Sequence, residues 1–456
     1  MTPNLTAQAF LAMQVSISRR RSHIALLPWG NTFEDFLDGV AVSFDQFCAE
    51  MSGGWLFGYV QALQLAGFRV TIFCFSSQVR VAVLAQHQPT NAEICLIPSK
   101  RSYRWMRSFF ASPYAWETAN MFAGKKIPMV MKKILRHLLP YFATPVTSLR
   151  REIRRRGIDV ILCQEYEYAR FDVVTALGSM LGLPVFATFQ GGNWHTSRFE
   201  KFTRPQALKR CAGLIIGPGN EAARVQRQYR LAARKIARIP NPIDLTQWQP
   251  IPRTKAREAL GLSLSARIAI SHGRVDIFRK GLDVLLDAWT RVRAERPRQD
   301  WRLVLIGSGD DASRLRSMLS ELHSIIWIDR YIRDRSQMRS WLSAADVYVM
   351  ASRHEGFPVA PLEGMACGLP IVATAVPGIA ELMGEEAPLP GITVPITDAG
   401  ALSEALARLL GNTELSHALG RQAKKRAQKF SLQSVSGQLR DFLLAHGTSD
   451  WAPTRV

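Results

Sequence analysis

Met350-Ala351-Ser352-Arg353-His354-Glu355-Gly356-Phe357-Pro358-Val359-Ala360-Pro361-Leu362-Glu363-Gly364-Met365-Ala366-Cys367-Gly368-Leu369-Pro370 is the stretch on which the reading of this chain turns. The apolar run Val347–Met350 that feeds it has the length and composition of a buried strand. Pro361 suits the first turn of a short helix, where its missing N–H would be unpaired anyway. Gly368 ends that helix and Pro370 opens the next strand. Free N–H groups at the start of such a helix favour an anion. Glu355 stands at the loop entrance, and Glu363 lies eight residues later in the expected first turn. Two carboxylates so placed can each accept hydrogen bonds from vicinal hydroxyls, one pair on a ribose and one on a hexose. For either carboxylate alone a plainer role wins, as a dipole partner or a loop cap.

Outward from this stretch, short apolar runs alternate with helical patterns. One series is His23–Leu27, Arg69–Phe75, Ile158–Cys163, Pro184–Phe189, Gly213–Ile216 and Ile236–Ile239. A second is Arg267–Ser271, Arg302–Ile306, Ile325–Ile328, Val347–Met350 and Pro370–Ala373. They lack clean polar alternation, as strands covered on both faces by helices do. Leu282, Leu285, Leu286 and Trp289 recur at helical spacing between two of them. Two such series predict two doubly wound α/β domains. Pro240-Asn241-Pro242-Ile243-Asp244 cannot lie inside a sheet or a helix, so the linker is placed at 241–250, between a domain 1–240 and a domain 251–430. In the second series, Arg274 and Lys280 flank the turn Ser271-His272-Gly273-Arg274 that precedes a helix starting near Gly281. Ligands of open α/β sheets bind beyond the carboxyl ends of the strands, and two cations at that edge are placed to hold a diphosphate. Taken singly, they read as ordinary surface cations. Gly307-Ser308-Gly309 after Val304–Ile306 is weak evidence by itself.

The 456 residues suffice for two or three domains at roughly 150 each. With 47% hydrophobic and 21% charged residues, the chain is neither disordered nor a small disulfide-stapled scaffold. Its net charge of +21 is uneven: residues 1–245 carry 31 basic and 15 acidic side chains, the rest 27 and 22. The front half is therefore built to meet an anion, whether a membrane surface, a nucleic acid or a phosphorylated substrate. Six cysteines, at 48, 74, 95, 163, 211 and 367, form no CxxC pair and suit no zinc site. They read as reduced thiols of a cytoplasmic protein. The first 18 residues lack a basic start and precede Arg19–Arg21, the wrong order for a secretory signal. The uncharged stretch Val173–Ser197 is broken by Gly178, Gly182, Pro184, Gly191 and Gly192, so it does not read as a membrane span.

The Glu355-(seven residues)-Glu363 spacing, set in Ser-Arg-His-Glu-Gly-Phe-Pro and followed by Met-Ala-Cys-Gly-Leu-Pro, resembles the signature of retaining glycosyltransferases of family 4. Gly273-Arg274-(five residues)-Lys280-Gly281, the Ala345-Asp346-Val347 strand entry, Pro240–Asp244 and Lys429-Phe430-Ser431 match as well. The resemblance is strong over about 236–435. It implies the GT-B fold, two Rossmann-like domains facing a central cleft, with 431–456 a C-terminal helix packing back on the first domain. It implies a nucleotide diphosphate sugar as donor substrate, most simply a UDP-sugar, and no cofactor or metal. Arg274 and Lys280 would hold the diphosphate and stabilise the leaving nucleotide, and Glu363 would bind the ribose. Glu355 would contact the donor sugar beside the backbone N–H groups of Gly356 and Phe357, while Tyr331 and Ile332 would meet the base. Fixed cations and N–H donors suffice to stabilise a departing diphosphate. Retention would follow from front-face attack guided by that phosphate.

The front half is similar in outline. Ser52-Gly53-Gly54 resembles the glycine loop that faces the donor phosphates, which makes Gly54 and Gly273 donor-site candidates. The stretch about 29–51 before it is acidic and aromatic and has no assigned role. After Val185–Phe189 the family often carries a histidine, and here Gln190 stands instead. Gln190 can bond a hydroxyl but cannot take its proton. His195, Gln164 and Glu165 are the other acceptor candidates. Residues 100–156 hold 14 basic and two acidic side chains with interleaved aromatics, and Ile127–Leu139 reads as a basic, apolar helix suited to anionic lipid. A core-facing helix with a solvated edge reads equally well, and no binding motif supports nucleic acid. The expected enzyme is cytoplasmic and peripheral at the inner membrane face. It would act on a glycan or polyprenyl-linked acceptor in polysaccharide assembly. A soluble acceptor, or a non-catalytic polyanion- or glycan-binding protein on the same fold, are the rivals.

Overall fold

The structure, a computed structural model, describes residues 21–38, 42–51, 54–111, 121–191 and 198–447. Two sheets organise it. The first contains β1 (His23–Leu27), β2 (Arg69–Ser76), β3 (Val83–His87), β4 (Ala92–Pro98), β5 (Val160–Gln164), β6 (Val185–Thr188), β7 (Gly213–Ile215) and β8 (Ile236–Ala237), in the order β3-β4-β2-β1-β5-β6-β7-β8. The second contains β9 (Arg267–His272), β10 (Trp301–Ile306), β11 (Ile325–Ile328), β12 (Val347–Met350), β13 (Ile371–Thr374) and β14 (Gly391–Val394), in the order β11-β10-β9-β12-β13-β14. All pairings are parallel except β3 with β4.

Alternate residues of one strand enter opposite cores, as a period-two backbone requires. In β1, Ile24 and Leu26 join the core on one face, and Ala25 and Leu27 the core on the other. In β10, Val304 and Ile306 face one side, Leu303 and Leu305 the other. Each sheet is thus buried twice, which is why its strands read as unbroken apolar runs. The helix Leu282–Glu295 buries Leu285, Leu286, Trp289 and Val292 against the second sheet. It stops before Pro297, which cannot continue a helix.

Three strands lie outside the runs identified in the sequence. β3 exposes most of its residues, although it begins within the apolar run Val81–Ala85. β4 is a buried run that follows it through a turn at Asn91 (φ 54°). β14 begins at Gly391, where a Cβ would meet the Ile371 carbonyl oxygen at 1.9 Å.

The two units are joined twice, side by side. Ile243 of the connecting segment donates to Phe430 O at 2.9 Å, and Leu432 N returns a bond to Ile243 O at 3.0 Å. The helix Leu432–His446 then packs Val435, Leu439 and Leu443 into the core of the first sheet. Asp346, inside one of the family-like motifs, is structural: it accepts from Ile268 N and pairs with Arg253, Arg257 and Arg267 at the base of the second sheet.

Candidate functional site

The turn after β9 differs from its expected form, and the difference sets the site. A short helix, Ile277–Lys280, precedes the long one, capped by Asp276, whose carboxylate accepts from Arg279 N at 2.9 Å. Gly281 separates the helices at φ 60°. A Cβ there would lie 2.0 Å from Ala351 O, so only glycine lets this turn press against the loop after β12. The two loops are then zipped. Arg353 N donates to Arg279 O at 2.9 Å, and the Arg353 guanidinium makes two 2.7 Å bonds to Asp283. The outcome is Lys280 Nζ 2.5 Å from Glu355 Oε1, which also accepts from Ser352 Oγ at 2.8 Å. Burial pushes the Glu355 carboxyl up, but the cations of Lys280 and Arg279 outweigh it and hold the group below its ordinary range.

The helix after this loop runs Val359–Ala366, with Pro361 in its first turn as expected. Pro361 occupies its third position, where an N–H is still unpaired, whereas Glu363 falls in the second turn and not, as expected, in the first, because the helix begins at Val359. Glu363 Oε2 is 2.8 Å from His272 Nε2 at the end of β9. Among the described residues His272 Nδ1 is buried without a hydrogen-bond partner, and Nε2, facing a carboxylate that can only accept, is the donor. The other carboxylate oxygen stays available. Sequence reasoning missed His272; its place directly before Gly273-Arg274 was the one signal available.

A cavity of about 350 Å3 opens between the two sheets. From the second sheet it is lined by His272, Gly273, Arg274, Tyr331, Arg335 and Glu363, and from the first by residues at the ends of β1 and β2. Both sets lie at carboxyl ends of parallel strands, where open α/β sheets bind ligands. Gly273 (φ 147°) has open space around its absent side chain, leaving its backbone approachable. Gly307 (φ 137°) packs so tightly on it that a Cβ would sit 1.9 Å from Gly273 O. Ile332 also lines the cavity while belonging to the core. Among the described residues, no group of three or more His, Cys, Asp or Glu side chains is placed to hold a metal ion.

Lys280, Glu355, Gly356 and Phe357 do not line this cavity. Gly356 meets the first domain instead: a Cβ on it would lie 2.3 Å from Gly191 N, and one on Gly191 (φ 95°) 2.6 Å from Gly356 N. Phe357 is a core residue whose carbonyl accepts from Asn241 Nδ2 at 3.0 Å.

The acceptor candidates Gln164, Glu165 and Gln190 lie outside the lining of this cavity. Gln190 exchanges two amide bonds with Asn241, at 2.9 and 3.1 Å, and its Nε2 also reaches Thr188 Oγ1. Its amide thus ties a loop to the interdomain connection. Glu165 is buried and accepts from Glu167 N at 2.9 Å and Gln190 N at 3.0 Å, which fixes two loops to each other. Burial and the neighbouring Glu167 carboxylate push its carboxyl up. Gln164 is buried at the end of β5 and, like Gln190 and Glu165, is not among the cavity-lining residues. His195 lies outside the described residues. Gly54 begins the helix Gly54–Leu65, whose Leu56 and Phe57 line the cavity.

In the basic segment a helix spans Met129–Phe142. Leu135 and Leu139 pack inward with Tyr103, Phe110 and Phe122, so several of the interleaved aromatics form a small core rather than a surface. Met129, Val130 and Ile134 remain exposed. Among the described residues, no helix is long and apolar enough to cross a membrane.

Comparison with known proteins agrees with this architecture. Residues 266–412 match the family model described as glycosyl transferases group 1, and residues 56–247 match that of glycosyltransferase family 4. A D-inositol 3-phosphate glycosyltransferase of Saccharomonospora viridis is 28% identical over 263 residues, covering 56% of this chain and 60% of the relative's own length. Sucrose-phosphate synthase from Thermosynechococcus elongatus superposes with a TM-score of 0.69 at 21% identity, over 93% of this chain and all of that one. Anabaena HepE, solved in complex with UDP, gives 0.66 at 15% identity, over 93% and 100%. With both halves of the family's pattern matched in order and two facing α/β sheets, the chain belongs to the family 4, group 1 glycosyltransferases of GT-B fold.

Proposed function

We propose that the chain is a retaining, metal-independent glycosyltransferase that moves a sugar from a nucleotide diphosphate sugar to a glycan or lipid-linked saccharide in cell-surface polysaccharide assembly. One observation carries this reading: Gly273, Arg274, Tyr331 and Glu363 converge on one interdomain cleft. The uncommitted oxygen of Glu363 would accept from a ribose hydroxyl, and Tyr331 would flank the base. Arg274 and Lys280 would stabilise the departing diphosphate, a role fixed cations perform without reorganisation. Glu355 would bridge Lys280 and a hydroxyl of the transferred sugar. The same leaving phosphate would guide the acceptor to the front face, so the anomeric configuration is kept. Support for the donor class comes from the UDP and UDP-glucose named in the complexes of Anabaena HepE.

The exposed Met129, Val130 and Ile134, set among Lys132, Lys133 and Arg136, favour a cytoplasmic enzyme held at an anionic membrane face. A soluble acceptor is the second reading, favoured by relatives named for an inositol phosphate acceptor. The test is incubation with UDP- and GDP-sugars in chelator, following nucleoside diphosphate release and the anomer of the product by NMR. An α-donor giving an α-product supports the proposal. Inversion, or no donor turnover by any nucleotide sugar, overturns it.

A further inference from the structure

The segment between β1 and the helix Gly54–Leu65 has no part in the donor roles, yet it builds much of the opposite wall. Trp29, Asn31, Thr32, Phe33, Phe47 and Met51 line the cavity. The segment is fastened at several points. Glu34 accepts from Ser76 Oγ and, at 3.2 Å, from Ser77 N. Asp35 pairs with Arg107 at 2.7 Å, and Tyr168 OH donates to Asn31 Oδ1. A wall fastened in this way has the rigidity that a binding surface needs.

Arg170 is the central fastening and also lines the cavity. Its guanidinium donates to the carbonyls of Pro28, Gly30 and Asn31, and lies 4.5 Å from the Phe75 ring centroid. Three arginines are buried among the described residues: Arg170, Arg204 and Arg257. Arg204 has Asp172 at 2.5 Å and Arg257 has Asp346 at 2.8 Å. Arg170 alone of these has only neutral carbonyl partners and no carboxylate within ion-pair distance among the described residues. A buried cation without a counter-charge is unfavourable, and in apolar surroundings its field is little screened. The wall around it is apolar, with Phe33, Met51, Leu56 and Phe75 facing the same space.

We infer that this wall is the acceptor subsite, and that it takes an acceptor in which a phosphate group is joined to an apolar group. The phosphate faces Arg170, and the apolar group seats against Phe33, Met51 and Leu56. The inference rests on the donor reading above, because the wall is an acceptor wall by virtue of facing Arg274, Tyr331 and Glu363. Phosphate on an apolar carrier can come from a lipid or from a soluble aryl phosphate, and the wall's chemistry is common to both.

The experiment is calorimetric titration of the UDP-saturated full chain with phenyl phosphate, geranyl phosphate, inorganic phosphate and phenyl β-glucoside. Phenyl and geranyl phosphate should bind at least about tenfold tighter than either of the others. Whichever of the two binds tighter identifies the source, and either order supports the subsite. Arg170→Met should weaken both by about tenfold or more at unchanged UDP affinity, and Arg170→Lys should recover part of the loss. Leu56→Trp, which keeps the cation and fills the space, should exclude both ligands as well. UDP binding reports folding of each variant and separates the two claims: a wild-type chain that fails to bind UDP sinks the donor reading. With UDP bound, three results overturn the subsite. They are inorganic phosphate or the glucoside binding as well as the joined ligands, no binding of either joined ligand, or Leu56→Trp and a UDP-competent Arg170→Met both binding like wild type.

Discussion

Lys280→Ala should destabilise the protein through Glu355 as well as impair catalysis. The Glu355 carboxylate is 10% exposed, and its Oε1 is shared by Lys280 Nζ at 2.5 Å and Ser352 Oγ at 2.8 Å. Removing one partner of a buried pair costs about 3–5 kcal/mol when the other stays charged. Lys280 is 30% exposed, so water can reach the gap and roughly 2–3 kcal/mol is the fitting figure after screening. For a unit of about 200 residues, that is a Tm lowered by roughly 5–10 °C. Glu355→Gln in the same background removes the stranded charge, and its amide oxygen still accepts from Ser352. The double variant should therefore be more stable than Lys280→Ala alone, with a coupling of at least about 1 kcal/mol. The pH dependence should reverse as well. In the wild type the carboxyl is held below its ordinary value of 4.5. Its stabilising contribution is present above that value and is lost only as pH falls through the lower, folded value. Without Lys280, burial dominates and raises the folded pKa, so Lys280→Ala should gain stability relative to wild type as pH falls from 8 towards 5. The assay is ligand-free thermal unfolding of wild type, Lys280→Ala, Glu355→Gln and the double variant across pH. Equal Tm for Lys280→Ala and the double variant would refute the reasoning.

The remaining expectations are separable. Glu363→Ala should weaken UDP binding by about tenfold or more, whereas Glu355→Ala should spare it and lower turnover about 10²-fold, the scale for losing a transition-state contact; equal loss of UDP binding in both would contradict the assignment. His272→Phe, which removes the 2.8 Å bond that orients Glu363, should weaken UDP several-fold, while His272→Asn should recover part of it by calorimetry. His87, stacked on Phe57 and bonded to Met51 O and Thr90 Oγ1, is pushed down to about 4 chiefly by burial. Its neutral form adds stability above pH 6.5 that is lost as pH falls towards 4, at up to about 1.4 kcal/mol per pH unit per proton; His87→Gln should flatten that slope in urea melts. The chain should pellet with anionic but not neutral vesicles at low salt, release as salt rises, and lose pelleting when Lys125, Lys126, Lys132 and Lys133 become glutamate; equal pelleting with both lipids would favour the soluble acceptor.

The strands that were legible in the sequence are those buried on both faces, because β1, β5, β10 and β12 each carry four consecutive apolar side chains. β3 escaped although it begins in the apolar run Val81–Ala85, because only its first three residues are apolar and it ends in Gln86 and His87. The cavity-lining Gly273, Arg274 and Glu363 were legible because loops after parallel strands keep short, fixed spacings between a glycine and a charge. What spacing could not give was partnership across the chain. Nothing near Gln190 in sequence says that Asn241, 51 residues on, occupies its amide. The residue-163 to residue-190 loops likewise look like cleft lining until the two backbone bonds to Glu165 show them to be ties. Segment 29–51 could not be assigned because its meaning lies in Arg170 and Arg107, which reach it from elements far along the chain.

The central claim is that Arg274, Lys280 and Glu363 bind a nucleoside diphosphate without metal. Its most direct test is calorimetric titration of UDP into the full chain in excess chelator, repeated with Arg274→Ala and Glu363→Ala. One binding site per chain, at an affinity unchanged by magnesium or manganese and weakened about tenfold or more in each variant, is the predicted result. UDP binding that requires an added divalent metal, or that is equal in wild type and both variants, would contradict the account.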